Sequence, residues 1–146
     1  MANVRPKPRG DRRGVAAVEF AFVLPIIFLL TAGTIEMCST IFLRESVILA
    51  AHEGARAATK RQATEQDVLT AVNDILAVRG VNVAALGGNH VSVSPNPSGA
   101  AILTPITVTV EAPTSGNTLL PIPSWFTWVG GRTVTSSVSM VREYND

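Results

Sequence analysis

The sequence predicts an α+β fold built from a long N-terminal helix, a second helix and a small antiparallel sheet. The first helix is expected to span a membrane and continue outside it, and the second to be amphipathic, with three to four strands after it. Three observations predict this fold. A long apolar run follows a basic N-terminus, helical periodicity returns after residue 64, and the C-terminal part alternates apolar and polar residues. The 146 residues suffice for one modest domain beside the apolar run.

The apolar run covers residues 15–35, VAAVEFAFVLPIIFLLTAGTI, and contains a single charged residue. As a helix with about 1.5 Å per residue it is roughly 32 Å long, which matches a hydrocarbon core of about 30 Å. Apolar residues continue to Leu43, so we predict a transmembrane helix over residues 15–43. A core helix that is apolar on every side needs protein all around it, and the remaining chain is too short to supply that. Secretory signals have shorter apolar regions, and the residues around Arg12-Arg13 give a twin-arginine signal little support.

Charge is distributed unevenly along the chain. Residues 1–14 contain five basic residues and one acid, a net charge of +4, whereas residues 44–146 contain seven basic and eight acidic residues. Because Lys and Arg beside a membrane helix stay in the cytoplasm, residues 1–14 are predicted to be a basic cytoplasmic leader. Residues 44–146 are then an extracytoplasmic domain. A nucleic-acid interface would need a basic patch on a folded surface, which a basic tail does not provide.

Three residues are unusual in a plain membrane anchor. Glu19 is an acid inside the apolar run, near the cytoplasmic interface, where its energetic cost is smaller than at the bilayer centre. Pro25 lacks a backbone donor and crowds the preceding turn, so a helix kink near residues 21–25 is expected. Glu36 marks the outer interface. Each of the three is tolerable in an ordinary membrane helix, so none is diagnostic alone.

The residues around the start of the apolar run form a recognisable pattern. Residues 12–20, RRGVAAVEF, resemble the processing site of type IV pilin-like precursors, in which a basic leader ends in Gly and an apolar helix with an early Glu follows. The Glu19-Phe20 pair, followed by an apolar stretch with Pro25, resembles the TadE-like minor pseudopilins of tight-adherence (Flp-type) pili. Residues 51–58, AHEGARAA, are similar to a Glu-Gly-Ala-Arg stretch common in that family. The resemblance is best over residues 12–63, somewhat less than half of the chain.

The resemblance implies a processing site and an assembly residue. A prepilin peptidase would cut between Gly14 and Val15 on the cytoplasmic face, which removes the basic leader and creates an ammonium group at Val15. Glu19 lies one helical turn later, so it can neutralise its own or a neighbouring subunit's amine. Glu19 and Phe20 are the implied peptidase-recognition and assembly residues. A carboxylate in an apolar bundle is tolerable when it is paired, which suggests a role for Glu19 in subunit registry.

The implied function is that of a pilin-like, minor pseudopilin in the assembly of a tight-adherence pilus. The implied partners are the inner membrane, the prepilin peptidase, other pilins or pseudopilins and the pilus assembly machinery. The implied location is the bacterial inner membrane, with a single span, a cytoplasmic N-terminus and a periplasmic or extracellular domain, and later the pilus. The alternative is a generic single-pass anchor that carries a scaffolding or ligand-binding domain and is not processed. An intact N-terminus would favour this alternative.

Beyond the membrane the pattern is first helical and then strand-like. Residues 36–61 keep helical spacing, and we expect the sheet to pack closely against Gly54. Thr64 followed by acids predicts an N-cap, and Gly80 predicts the end of this second helix. Strands are predicted over residues 90–94, 101–112 and 133–141. The intervening loop, residues 113–132, contains Trp125 and Trp128, which either cap the core, rest on the membrane surface or contact another pilus subunit.

No catalytic constellation is evident, so we predict a non-enzymatic protein without cofactor or metal. His52 and His90 lack a matching Cys or paired carboxylate at ligand spacing, and both are expected to be solvated. The chain contains no Gly-x-Ser-x-Gly elbow and no phosphate-binding loop. The single cysteine, Cys38, excludes an internal disulfide. It is expected to be a small buried hydrophobe, with pairing between subunits as an alternative.

Overall fold

The computed structural model describes residues 12–101, 103–119 and 133–142, with side chains from Gly14 onward. The described elements comprise two α-helices, a short 3-10 turn and three strands. In chain order they are α1 (Arg12–Ala58), α2 (Glu65–Val78), the 3-10 turn (Ala84–Leu86), β1 (Val91–Ser94), β2 (Pro105–Pro113) and β3 (Thr133–Val141). The α+β prediction is confirmed, with three strands in the part of the chain described. Residues 1–11 of the predicted leader and the loop tryptophans, Trp125 and Trp128, lie outside the described residues.

Contacts divide the chain into two compact units between Ile35 and Glu36, although α1 runs through both. In the first unit, nearly every described side chain of α1 is exposed. In the second unit, α1 buries one face that recurs every three to four residues, the repeat of a helix packed on one side. That face includes Leu43, Val47, Ala50, Ala51, Gly54, Ala55 and Ala58, and Ser46 and Ala57 beside it are buried as well.

Helix α2 begins and ends where the sequence predicts. Thr64 is the N-cap: its Oγ1 accepts a hydrogen bond from the Asp67 amide (3.3 Å), and Asp67 Oδ2 accepts one from the Thr64 amide (2.9 Å). This reciprocal capping box satisfies two amides that the first turn would leave unpaired. The hydrogen bonds from the Thr64 hydroxyl and amide lower the pKa of Asp67 below its ordinary value of 3.8. Gly80, with φ +66°, follows the C-cap residue Arg79 and ends the helix.

The sheet has the order β1-β2-β3, and both pairings are antiparallel. The central strand β2 alternates, with buried apolar residues on the helix side and half-buried or exposed residues on the other. The buried residues of this alternation are Ile106, Val108, Val110 and Ala112, and Pro113 at the end of the strand is buried too. The predicted second strand, residues 101–112, begins too early. The Thr104 amide donates to the Ala101 carbonyl (3.1 Å) and Leu103 has a positive φ, so a turn occupies those residues.

Gly54 is the point of closest packing between α1 and the rest of its unit. A β-carbon built there would lie 2.6 Å from Val72 Cγ2 and 3.2 Å from Val108 Cγ1. Side chains of α2 and of the central strand therefore occupy the space that any larger residue would need. The expectation that the sheet packs closely against Gly54 is confirmed, and α2 shares that contact.

Two expectations about single residues are wrong. His90 is buried, and its Nε2 pairs with Asn73 Oδ1 of α2 (2.8 Å), so it joins α2 to the start of β1 rather than facing solvent. Cys38 is exposed, because it precedes the buried face of α1. His52 is exposed, as expected.

Candidate functional site: the exposed apolar half of helix 1

The first half of α1, the part that ends at Ile35, presents large apolar side chains on all sides. None of its most apolar stretch, 18 residues long, is buried. Among the described residues this is the one helix long and apolar enough to cross a membrane. The exposed side chains in this half include Phe20, Phe22, Leu24, Ile26, Phe28, Leu29 and Leu30. A core helix of a soluble protein would bury these residues, so this surface suits lipid or the helix of another subunit.

The two threonines within this half satisfy their own hydroxyls. Thr31 Oγ1 donates to the Ile27 carbonyl and Thr34 Oγ1 donates to the Leu30 carbonyl, each at 2.8 Å. Each bond is made to the carbonyl four residues earlier, within the same helix. Because lipid offers no partner for a hydroxyl, this arrangement makes the segment compatible with a hydrocarbon environment.

The predicted processing residues lie in the first turns of α1. Gly14 is helical, and a β-carbon built on it would have no heavy atom within 4 Å. Val15 and Phe20 are exposed, and so is Glu19. Val15 and Glu19 are four residues apart, so the helix places them on the same side, whereas Phe20 lies about 100° around the axis from Glu19. The structure thus places Val15 and Glu19 on one side of α1, and the pairing of Glu19 with a new amine at Val15 stays a prediction.

Pro25 lies inside α1, and the residues on both sides of it are helical. The ring cannot donate to the carbonyl four residues earlier, at Ala21. The kink at Pro25 stays a prediction.

The Glu-Gly-Ala-Arg stretch at the other end of α1 has a packing explanation. Gly54 and Ala55 belong to the buried face, whereas Glu53 and Arg56 lie on the outer side. There the Arg56 guanidinium and the Glu53 carboxylate form an ion pair at 3.8 Å. An exposed pair of this kind stabilises little, so the small residues between them have the larger structural role.

Two features mark the ends of one segment of the chain. An exposed apolar helix starts near Gly14, and a packing stretch of small residues ends at Arg56. Residues 14–56 match the sequence model of the TadE-like protein family. The resemblance predicted from the sequence is confirmed in this segment. The TadE-like family is a structural family associated with Tad pili, so the match favours a pilus-associated component. No curated protein and no solved structure matches the chain.

The TadE-like segment ends before α2 and the sheet, so the match carries no information on those elements. Residues that the sequence reasoning missed lie there. Arg142 Nη2, at the end of β3, donates to the carbonyls of Ala58 (3.4 Å) and Pro97 (3.1 Å), which places a cation at the C-terminal end of α1. Arg79 lies over the ring of Phe42. No local sequence signal links residues so far apart. Among the described residues, no three His, Cys, Asp or Glu side chains could hold a metal ion.

Proposed function

We propose that the protein is a minor-pseudopilin-like structural component in the assembly of a tight-adherence pilus, without enzymatic activity. The TadE-like match over residues 14–56 carries this proposal. That segment contains the exposed apolar half of α1, which can lie in a bilayer before assembly and against other subunits afterwards. The proposed partners are other pilins or pseudopilins and the assembly machinery.

In this proposal the chain crosses the inner membrane once, with residues 1–14 in the cytoplasm, residues 15–43 as the transmembrane helix and residues 44–146 outside. The exposed apolar side chains of the first half of α1 support the span. The basic residues before Gly14 support the orientation.

Processing after Gly14 by a prepilin peptidase is part of the same proposal. Gly14 has open space around it and lies within the first turn of α1. Glycine costs about 1 kcal/mol relative to alanine inside a helix, so this turn can unwind more readily than the apolar turns that follow. The extended backbone that a peptidase cleft requires is therefore accessible at Gly14.

Glu19 is proposed to pair with the amine of Val15 in the same or a neighbouring subunit. None of the salt bridges among the described side chains involves Glu19, and its carboxylate is exposed in an apolar stretch. An unpaired carboxylate in lipid is costly, which favours a paired state in an assembled bundle.

The experiment is complementation of a deletion in a bacterium that makes tight-adherence pili. The unmodified chain should restore surface pili, Glu19→Ala should restore few or none, and Glu45→Ala is the matched control. Glu45 is an exposed glutamate on the same helix but in the second unit. Normal piliation in the deletion strain would contradict the pilus role. Normal piliation with Glu19→Ala would contradict the role of Glu19 alone.

A further inference from the structure

A basic and an aromatic side chain are in contact at one end of the second unit, and an exposed aliphatic residue lies next to the basic one in the chain. The Arg79 Cζ atom lies 5.5 Å from the centroid of the Phe42 ring, within the range of a cation–π contact. Phe42 is 50% exposed, and the neighbouring Val78 is 85% exposed. None of the salt bridges among the described side chains involves Arg79. These three residues, Phe42, Val78 and Arg79, are called the Phe42 cluster below.

The direction of α2 brings this cluster to the start of the second unit. Gly54, near the end of α1, faces Val68 and Val72 in the first part of α2. Phe42, earlier in α1, faces Arg79 at the end of α2. Helix α2 therefore runs back along α1 in the opposite direction, and its C-terminus returns to the level at which α1 enters this unit.

That level is close to the expected membrane surface. Phe42 follows Ile35, the end of the most apolar run, by seven residues, or about 10 Å along a helix. The headgroup layer outside the hydrocarbon core is about 5–8 Å thick on each side. Side chains on a helix lean toward its N-terminus, so Phe42 leans toward the membrane, and a long arginine side chain can extend in the same direction.

We infer that the Phe42 cluster contacts the bilayer surface and binds the phosphates of anionic phospholipids. The guanidinium of Arg79 can form paired hydrogen bonds to phosphate while the ring of Phe42 holds it in place. Val78 supplies an exposed apolar side chain for the interface, where aromatic and amphipathic residues are favoured. The contact would fix the depth and tilt of the domain at the membrane. The inference rests on the proposed membrane anchor but does not depend on pilus assembly.

The test measures the depth of spin labels in the full chain reconstituted in nanodiscs. Cys38→Ser removes the native thiol, and Val78→Cys then places one label in the cluster. Gln66→Cys is the matched control, because Gln66 is also exposed but lies at the opposite end of α2. Leu24→Cys reports whether the apolar half of α1 lies in lipid. Depth is read as relative accessibility to oxygen, which is lipid-soluble, and to a water-soluble nickel complex.

In nanodiscs that contain phosphatidylglycerol, the label at residue 78 should be shielded from nickel, and the label at residue 66 should not. Adding Arg79→Gln should lower the equilibrium constant for contact between the cluster and the membrane about fivefold, as expected for one arginine at an anionic surface. The label at residue 78 should then become more accessible to nickel. Phosphatidylcholine alone should have a similar effect. Arg79→Lys should retain much of the contact.

Equal nickel accessibility at residues 78 and 66, with residue 24 in lipid, would overturn the inference and leave the proposed anchor intact. An insensitivity to both Arg79→Gln and lipid charge would also overturn it. A nickel-accessible label at residue 24 would contradict the proposed anchor and, with it, the membrane contact of the cluster.

Discussion

The two halves of α1 belong to one helix but differ in which residues they bury. The first half carries large apolar residues that are exposed, such as Leu30 at 68%. The second half buries small residues, mainly Ala and Gly, on one face and exposes charges on the other. The first half is therefore suited to an apolar surrounding on all sides, and the second to a protein core on one side and water on the other.

This difference shows that the largest apolar side chains of a helix are not always its most buried ones. In the second half the neighbouring strand and α2 approach closely, so small residues fill the available space. In the first half, most side chains are exposed, so packing among the described residues sets little limit on residue size there. Substitutions of the same chemical type should therefore have different effects in the two halves.

The largest expected difference concerns two leucines on α1. Leu43 is 2% exposed, so Leu43→Ala should lower the free energy of unfolding by about 2–5 kcal/mol through lost apolar contacts and a cavity. Leu30→Ala, the same change on the exposed half, should leave it unchanged. Guanidinium unfolding of the second unit, measured on the full chain in detergent, tests both variants. Equal losses would show that the two halves do not differ in packing.

The next largest effect concerns two helical glycines. Gly54→Ala places a methyl group 2.6 Å from Val72 Cγ2, whereas a β-carbon on Gly33 meets no heavy atom within 4 Å. Overpacking costs about 1–3 kcal/mol, and the better helix propensity of alanine returns up to about 1 kcal/mol. Gly54→Ala should therefore be destabilising in the same unfolding assay, and Gly33→Ala neutral. A stabilising Gly54→Ala would contradict the close approach of α1 to α2.

A smaller effect separates two threonines whose hydroxyls bond locally. Thr64 caps α2 and satisfies an amide that otherwise lacks a partner, so Thr64→Ala should cost about 0.5–2 kcal/mol. Thr31 bonds to the Ile27 carbonyl inside α1, where Thr31→Ala should leave the domain unaffected. Thermal melts monitored by circular dichroism would measure both. An unchanged melting temperature for Thr64→Ala would argue against the capping box.

The smallest effect is a pH dependence at the same cap. Because the folded pKa of Asp67 is lowered below 3.8, its stabilising contribution is present above that value and is lost as the pH falls through the folded pKa. The stability difference between the unmodified chain and Asp67→Asn should therefore be present at neutral pH and shrink in acid below that value. A difference that stays constant into acid would contradict the hydrogen bonds to the ionised carboxylate.

Local signals predicted most of the fold. The Thr64 cap and Gly80 placed α2, and alternation in residues 133–141 placed β3 with the observed bounds. The start of β2 was missed because a turn at residues 101–104 interrupts a run that still contains apolar residues. The burial of His90 was missed because it depends on Asn73 of α2, and that contact forms only when α2 packs beside β1.

For the candidate site, the sequence predicted the local features but not the contact between helices. The apolar character of residues 15–35 is a local property, and the structure leaves those residues exposed as a membrane helix would require. The TadE-like resemblance also rests on local motifs. The Phe42–Arg79 contact could not be predicted, because it joins two helices whose relative direction no sequence motif encodes.

The most direct test of the proposed function is the intact mass of the membrane-bound form in a bacterium that makes tight-adherence pili. Processing after Gly14 predicts a chain that begins at Val15 and has lost the basic leader. Gly14→Leu should leave the precursor uncut, and Gly33→Leu, on the same helix, should not affect cleavage. A membrane form of the unmodified chain that begins at Met1 or Ala2 would contradict processing and favour an unprocessed anchor.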